Sequence, residues 1–112
     1  MADDSLPLFK GTLDLLILKT LSWGPRHGYA IATWLEQRSG GSLLLDDSAL
    51  YQALQRLEAR GFLSAEWGIT ENNRRARYYT LTTSGRQRLK RESDTWLRYT
   101  RSVSAILALR SA

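Results

Sequence analysis

Residues 46–82 read DDSALYQALQRLEARGFLSAEWGITENNRRARYYTLT. Asp46, Asp47 and Ser48 offer side-chain oxygens to the free N–H groups of a helix start, and the acids sit beside the positive end of the helix dipole. Leu50, Leu54 and Leu57 follow at spacings of four and three, the stripe of a helix buried on one side. Gly61 stands where a left-handed residue closes a helix, with the apolar pair Phe62-Leu63 behind it. The period then changes. Leu63, Ala65 and Trp67 alternate, residues 68–75 are polar and turn-rich, and Tyr79 and Leu81 alternate again with Ala76 and Tyr78 opposite. The pattern predicts a helix running straight into a two-stranded hairpin with a long basic tip.

Upstream, the spacing Phe9, Leu13, Leu16/Ile17, Thr20/Leu21 predicts a helix over residues 8–21, with extra leucines such as Leu15 and Leu18 burying more than one side. Ser22-Trp23-Gly24-Pro25 ends it. A second helix is predicted from Arg26 or His27 to Arg38, with Ile31 and Trp34/Leu35 inward, Tyr29 near its start and Gly40-Gly41 closing it. Leu43-Leu44-Leu45 reads as a short strand or an apolar tether. Downstream, residues 83–110 hold no proline and only Gly85, near the start. Leu89, Trp96 and Val103 recur every seventh residue, as do Thr100 and Leu107, which marks a long helix with a coiled-coil-like stripe.

This order is that of a mainly α, winged helix-turn-helix domain with a small β-hairpin, over residues 1–82, followed by a long C-terminal dimerisation helix, over 83–112. The expected seam of that helix is Leu89, Trp96, Tyr99, Val103 and Leu107.

Composition narrows the chemistry. The 112 residues allow one small core. No cysteine means no disulfide framework and no thiolate metal site, and a single histidine leaves little material for a zinc or haem site. No phosphate loop or nucleophile–base arrangement appears, so neither an enzyme nor a cofactor is expected. The acidic start gives no secretory signal, and Asp14 and Lys19 interrupt the longest apolar run, so a cytoplasmic protein with no membrane span is expected. The net charge of +5 is unevenly placed: residues 1–50 carry −2 and residues 51–112 carry +7. Of the 16 basic side chains 13 are arginine, the planar cation suited to phosphates and guanine edges.

The third helix presents Ser48, Ala49, Tyr51, Gln52, Gln55 and Arg56 outward, groups able to meet base edges and phosphates in a major groove. The hairpin adds Asn72, Asn73, Arg74, Arg75 and Arg77, a compact cation for backbone or a narrow minor groove. Either element alone would pass for an ordinary solvated surface, whereas side by side they predict binding to double-stranded DNA. The alternative is a winged-helix interaction module that turns its basic face to an acidic protein partner. His27 is expected to settle the entrance to helix two, not to catalyse, and Gly28 to permit a close helix approach.

Four stretches resemble the PadR family of bacterial transcriptional regulators: GTLDLLIL (11–18), GPRHGYAI (24–31), LYQALQRLEARGFL (50–63) with EWG (66–68), and NNRRARYYTLTTSG (72–85). The similarity runs from about Lys10 to Leu89. Where many members have Gly-Thr or Gly-Ser before the Leu-Tyr of helix three, this chain has Ser48-Ala49. The resemblance implies a repressor that dimerises through its last helix and binds a pseudo-palindromic operator. It also implies a planar aromatic effector held near the dimer centre, for which Trp96, with Leu15 of helix one, is the candidate site.

Overall fold

The computed structural model describes residues 6, 8–9, 11–43 and 45–111; the acidic start, Lys10 and Leu44 lie outside them. Helix α1 (Thr12–Thr20) runs into a 3-10 turn (Leu21–Trp23), a two-residue strand β1 (Arg26–His27) and helix α2 (Gly28–Arg38). Helix α3 (Asp47–Ala59), strands β2 (Leu63–Ile69) and β3 (Arg75–Leu81) and helix α4 (Thr83–Leu107) complete the order.

The core forms where the expected stripes converge. Ile17, Leu18 and Leu21, Ile31 and Leu35, and Leu50, Ala53, Leu54 and Leu57 meet Leu63, Tyr79 and Leu81 of the sheet. Burial pushes the Tyr79 phenol above its ordinary pKa, so it packs as a neutral ring. Phe9, expected on the first stripe, is instead 75% exposed. Gly11 adopts φ 86°, a left-handed conformation that separates Phe9 from a helix beginning only at Thr12.

Helix α3 is bounded as its sequence predicts. Asp46 Oδ1 accepts from the Ser48 N–H at 3.3 Å. At the other end Gly61 has φ 81°, and the N–H groups of Phe62 and Gly61 donate to the carbonyls of Leu57 and Glu58, both at 3.0 Å. That paired closure turns the chain directly into β2.

The expected two-stranded hairpin is part of a three-stranded antiparallel sheet of order β1-β3-β2. Arg26 pairs with Tyr79 and His27 with Tyr78. Two residues are too few to show an alternation, so this strand carries no periodic signal. The tip is also tighter than expected. Thr70 N–H donates to the Arg74 carbonyl at 2.8 Å and Asn73 N–H to Thr70 at 2.9 Å, with Asn73 left-handed at φ 59°. Asparagine tolerates that conformation. Arg75 and Arg77 therefore belong to β3, and only Asn72, Asn73 and Arg74 belong to the tip.

Leu43 forms an isolated parallel bridge to Leu6, and Leu45 packs on the core, so the described part of the 43–45 segment acts as a tether. Thr82 secures the start of α4: its Oγ1 donates to the Gly61 carbonyl at 2.7 Å and accepts from the Gly85 N–H at 3.0 Å. No helix among the described residues is long and apolar enough to cross a membrane.

Candidate nucleic-acid interface

Because Leu50, Leu54 and Leu57 point into the core, the opposite side of α3 is presented outward. Ser48, Tyr51, Gln52, Gln55 and Arg56 are exposed and Ala49 is half-buried. Ser48 and Gln52, one turn apart, are joined by an amide-to-hydroxyl hydrogen bond of 3.4 Å. Tyr51 lies with its ring edge over Gly28: a Cβ there would stand 2.8 Å from Tyr51 Cε1. A side chain at residue 28 would displace the tyrosine, so Gly28 makes the close approach of α2 and α3 possible. His27 caps α2, its Nδ1 accepting from the Ala30 N–H at 3.2 Å, and its ring meets the Tyr78 ring edge-on at 5.3 Å.

The arginines divide into two groups. Arg56 is paired with Asp14 of α1 at 2.5 Å, and Arg77 with Glu58 of α3 at 2.6 Å. Both pairs are solvent-facing and contribute at most about 1 kcal/mol each, but they brace α3 against α1 and the hairpin against α3. Arg74 and Arg75 have no ion pair among the described residues; the Arg75 guanidinium instead lies 4.5 Å over the Trp67 ring. Asn73 stands at the left-handed corner of the tip, and the Arg74 N–H next to it donates to Thr70 Oγ1 at 3.2 Å.

An open groove of about 1060 Å3 joins these elements, bordered by Tyr29 and Tyr51 on the helical side and by Asn72, Arg74, Arg75 and Arg77 on the hairpin. Tyr29, 75% exposed at the first turn of α2, is a candidate contact that helical spacing alone placed only near the helix start. Trp67 and Ile69 are likewise exposed on β2.

Along α4, Leu89 packs against this chain's own core, while Trp96, Tyr99, Val103 and Leu107 are exposed together with Leu97 and Ile106. A second groove, of about 430 Å3, brings Trp96 beside Leu15, Thr12, Arg60, Arg88 and Tyr99. Thr12 Oγ1 is buried there without a hydrogen-bond partner. Among the described residues no group of acids and histidine is arranged to hold a metal.

Three helices packed on a small antiparallel sheet, with its hairpin projecting beside the third helix, define a winged helix-turn-helix protein. The transcriptional regulator PadR-like family model matches residues 17–91, and the chain belongs to that family. It resembles smu.1704 of Streptococcus mutans (28% identity, TM-score 0.81), covering 96% of this chain and 98% of that one. A PadR family transcription regulator of Clostridium difficile is similar over 88% of this chain and all of its own, at 26% identity and a TM-score of 0.77. Protein X of Lysinibacillus sphaericus is 28% identical over 80% of this chain and 82% of its own length. The protein is thus a DNA-binding transcriptional regulator, and its family is one of regulators rather than enzymes.

Proposed function

We propose that this regulator is a homodimeric repressor of the cytoplasm, reading a pseudo-palindromic operator. Residues 1–82 form the DNA-binding domain and residues 83–112 the dimerisation arm. Helix α3 enters the major groove with Ser48, Ala49, Tyr51, Gln52, Gln55 and Arg56, and Asn73, Arg74, Arg75 and Arg77 of the wing take the flanking backbone or minor groove. The observation that carries this reading is the shared groove: Tyr51 of α3 and Arg74 and Arg75, which have no ion pair among the described residues, border one open surface, so one duplex can meet both. Arg56 and Arg77 meet DNA with part of their charge offset by Asp14 and Glu58.

Pairing through Trp96, Tyr99, Val103 and Leu107, with Leu89 fixing the arm to its own domain, covers an apolar stripe that otherwise faces water. It sets two recognition helices about one DNA turn, roughly 34–36 Å, apart. Selection of bound duplexes from a random pool tests the whole reading, and an inverted repeat is the expected product. Gln52→Ala should then relax preference at one base pair per half-site by about 1–3 kcal/mol, while leaving affinity for random duplex unchanged. Recovery of sequences without symmetry would sink the dimer, and an unchanged sequence preference would remove Gln52 from the readout.

The groove that Trp96 and Leu15 border is proposed to take a planar aromatic effector. Titration of planar aromatics into a variant whose sole tryptophan is Trp96 should quench its fluorescence. A broad panel that leaves the emission unchanged would exclude the effector.

A further inference from the structure

Trp67 and Ile69 continue the phase of Leu63 and Ala65 along β2, but they lie beyond the end of the core and are 59% and 62% exposed. Large apolar side chains on a projecting hairpin invite a functional reading. Their cross-strand partners on that face are Arg77 and Arg75. Arg77 is held by Glu58, and Arg75 is the member of this pair with no ion pair among the described residues. Its guanidinium lies over the indole of Trp67 at 4.5 Å, the closest cation–ring approach among the described residues.

Stacking occupies one face of a guanidinium and leaves its in-plane N–H groups free, so a stacked arginine is oriented and still able to donate. The base below it is fixed as well, because the tip is closed by the Thr70–Arg74 and Asn73–Thr70 hydrogen bonds. An arginine presented in this way suits a narrow minor groove, where the negative potential is strongest over A·T tracts and where no guanine amine projects. Apolar side chains beside it suit the sugars of the groove walls.

We propose that Trp67 is a positioning residue that holds Arg75 edge-on for the minor groove next to each half-site, giving this regulator a preference for A·T-rich flanks. The inference rests on the reading of the hairpin as a DNA-binding wing and adds to it a sequence preference and a residue that creates it.

The test uses fluorescence anisotropy on a duplex selected from a random pool, with the base pairs beside each half-site rebuilt as A·T tracts, as G·C, or as inosine·C. Wild type should bind the A·T flanks about five- to tenfold more tightly than the G·C flanks. Inosine·C should restore most of the loss, since it removes the minor-groove amine and keeps the major-groove edge of guanine.

Trp67→Ala and Arg75→Ala should each bring the ratio within about twofold of unity, and the double variant should be no more indifferent than Arg75→Ala alone. Trp67→Phe, which keeps a ring under the guanidinium, should retain the preference. Arg75→Lys should keep the salt dependence but lose the preference, because an ammonium has no planar fork. A Trp67→Ala protein that still prefers A·T flanks overturns the inference, as does a wild type indifferent to flanks. Failure of the wing reading itself has a different signature: the Arg74→Ala/Arg75→Ala protein would bind every duplex as wild type does.

Discussion

Replacing Arg74 and Arg75 together with alanine should weaken binding to every duplex, selected or random, and flatten its salt dependence. Neither residue has a carboxylate partner among the described residues, so the charge of each is available to phosphate. In a dimer the double substitution removes up to four phosphate contacts. Each contact contributes about 0.9 to the slope of log affinity against log salt, so the slope should fall by roughly 3 to 4. At about 0.1 M salt the loss of affinity should be on the order of 100-fold or more. The comparison is the variant Arg77→Ala with Glu58→Ala. It deletes a wing arginine whose charge is already offset by a carboxylate at 2.6 Å, so its slope should fall by clearly less than that of the Arg74/Arg75 variant. Equal slopes for wild type and the Arg74/Arg75 variant would show that the duplex lies elsewhere. An equally large fall in the comparison variant would mean that Arg77 binds phosphate as fully as the two arginines without a carboxylate partner.

Both outcomes turn on a distinction that charge counting cannot make. The surplus of positive charge in the second half of the chain is visible in the sequence, but the partner of each arginine is not. Asp14 and Arg56 lie 42 residues apart, and Glu58 and Arg77 lie 19 apart. These pairs exist only because α1, α3 and the hairpin converge on one core. What can be read locally is read well: α3 is specified by its cap, its leucine spacing and Gly61, all within one stretch of chain. The strand β1 is the opposite case. Its two residues have no period of their own, and they become a strand by pairing with residues about fifty positions later. Phe9 misleads for a related reason, since its spacing fits the helix while Gly11, in a left-handed conformation, stops the helix short.

The wing lies between these extremes. Alternation puts Tyr79 and Leu81 on one face and Tyr78 on the other without saying which face is inward. The core takes Tyr79 and Leu81, and the phase of β2 runs on through Trp67 to Ile69, a residue expected in the tip. A period does not say where the core stops, however, so it cannot tell a buried tryptophan from one that supports an arginine in solvent. The groove at Trp96 repeats the lesson. Seven-residue spacing identifies the tryptophan, but only the packing of α4 across α1 places Leu15 and the unpaired Thr12 hydroxyl beside it.

Gly85→Ala should destabilise the protein by about 2–3 kcal/mol, although helix propensity alone predicts the opposite sign. Alanine is favoured over glycine inside a helix by about 1 kcal/mol, and residue 85 has ordinary helical geometry. The obstacle is tertiary. A Cβ at this position would stand 2.1 Å from the Phe62 carbonyl oxygen and 2.7 Å from Leu81 Cδ1. The leucine can rotate away. The carbonyl is main chain, and it already accepts the Thr82 N–H at 3.1 Å at the junction between the wing and α4. Relief therefore requires the first turn of α4 to lift from the hairpin, at the cost of the Thr82 bonds to Gly61 and Gly85. Overpacking of this kind costs about 1–3 kcal/mol or more, and the lost hydrogen bonds add to it. Thermal unfolding should show a midpoint lowered by roughly 10–15 °C, whereas Ser84→Ala, one residue away and exposed, should stay within about 0.5 kcal/mol of wild type. A Gly85→Ala protein as stable as wild type would mean that α4 is not seated on the hairpin. The same contact sets the angle at which the proposed dimerisation arm leaves the DNA-reading surface. A folded but destabilised Gly85→Ala protein should therefore lose affinity for the inverted repeat more than for a single half-site, because the spacing of the two recognition helices depends on that angle.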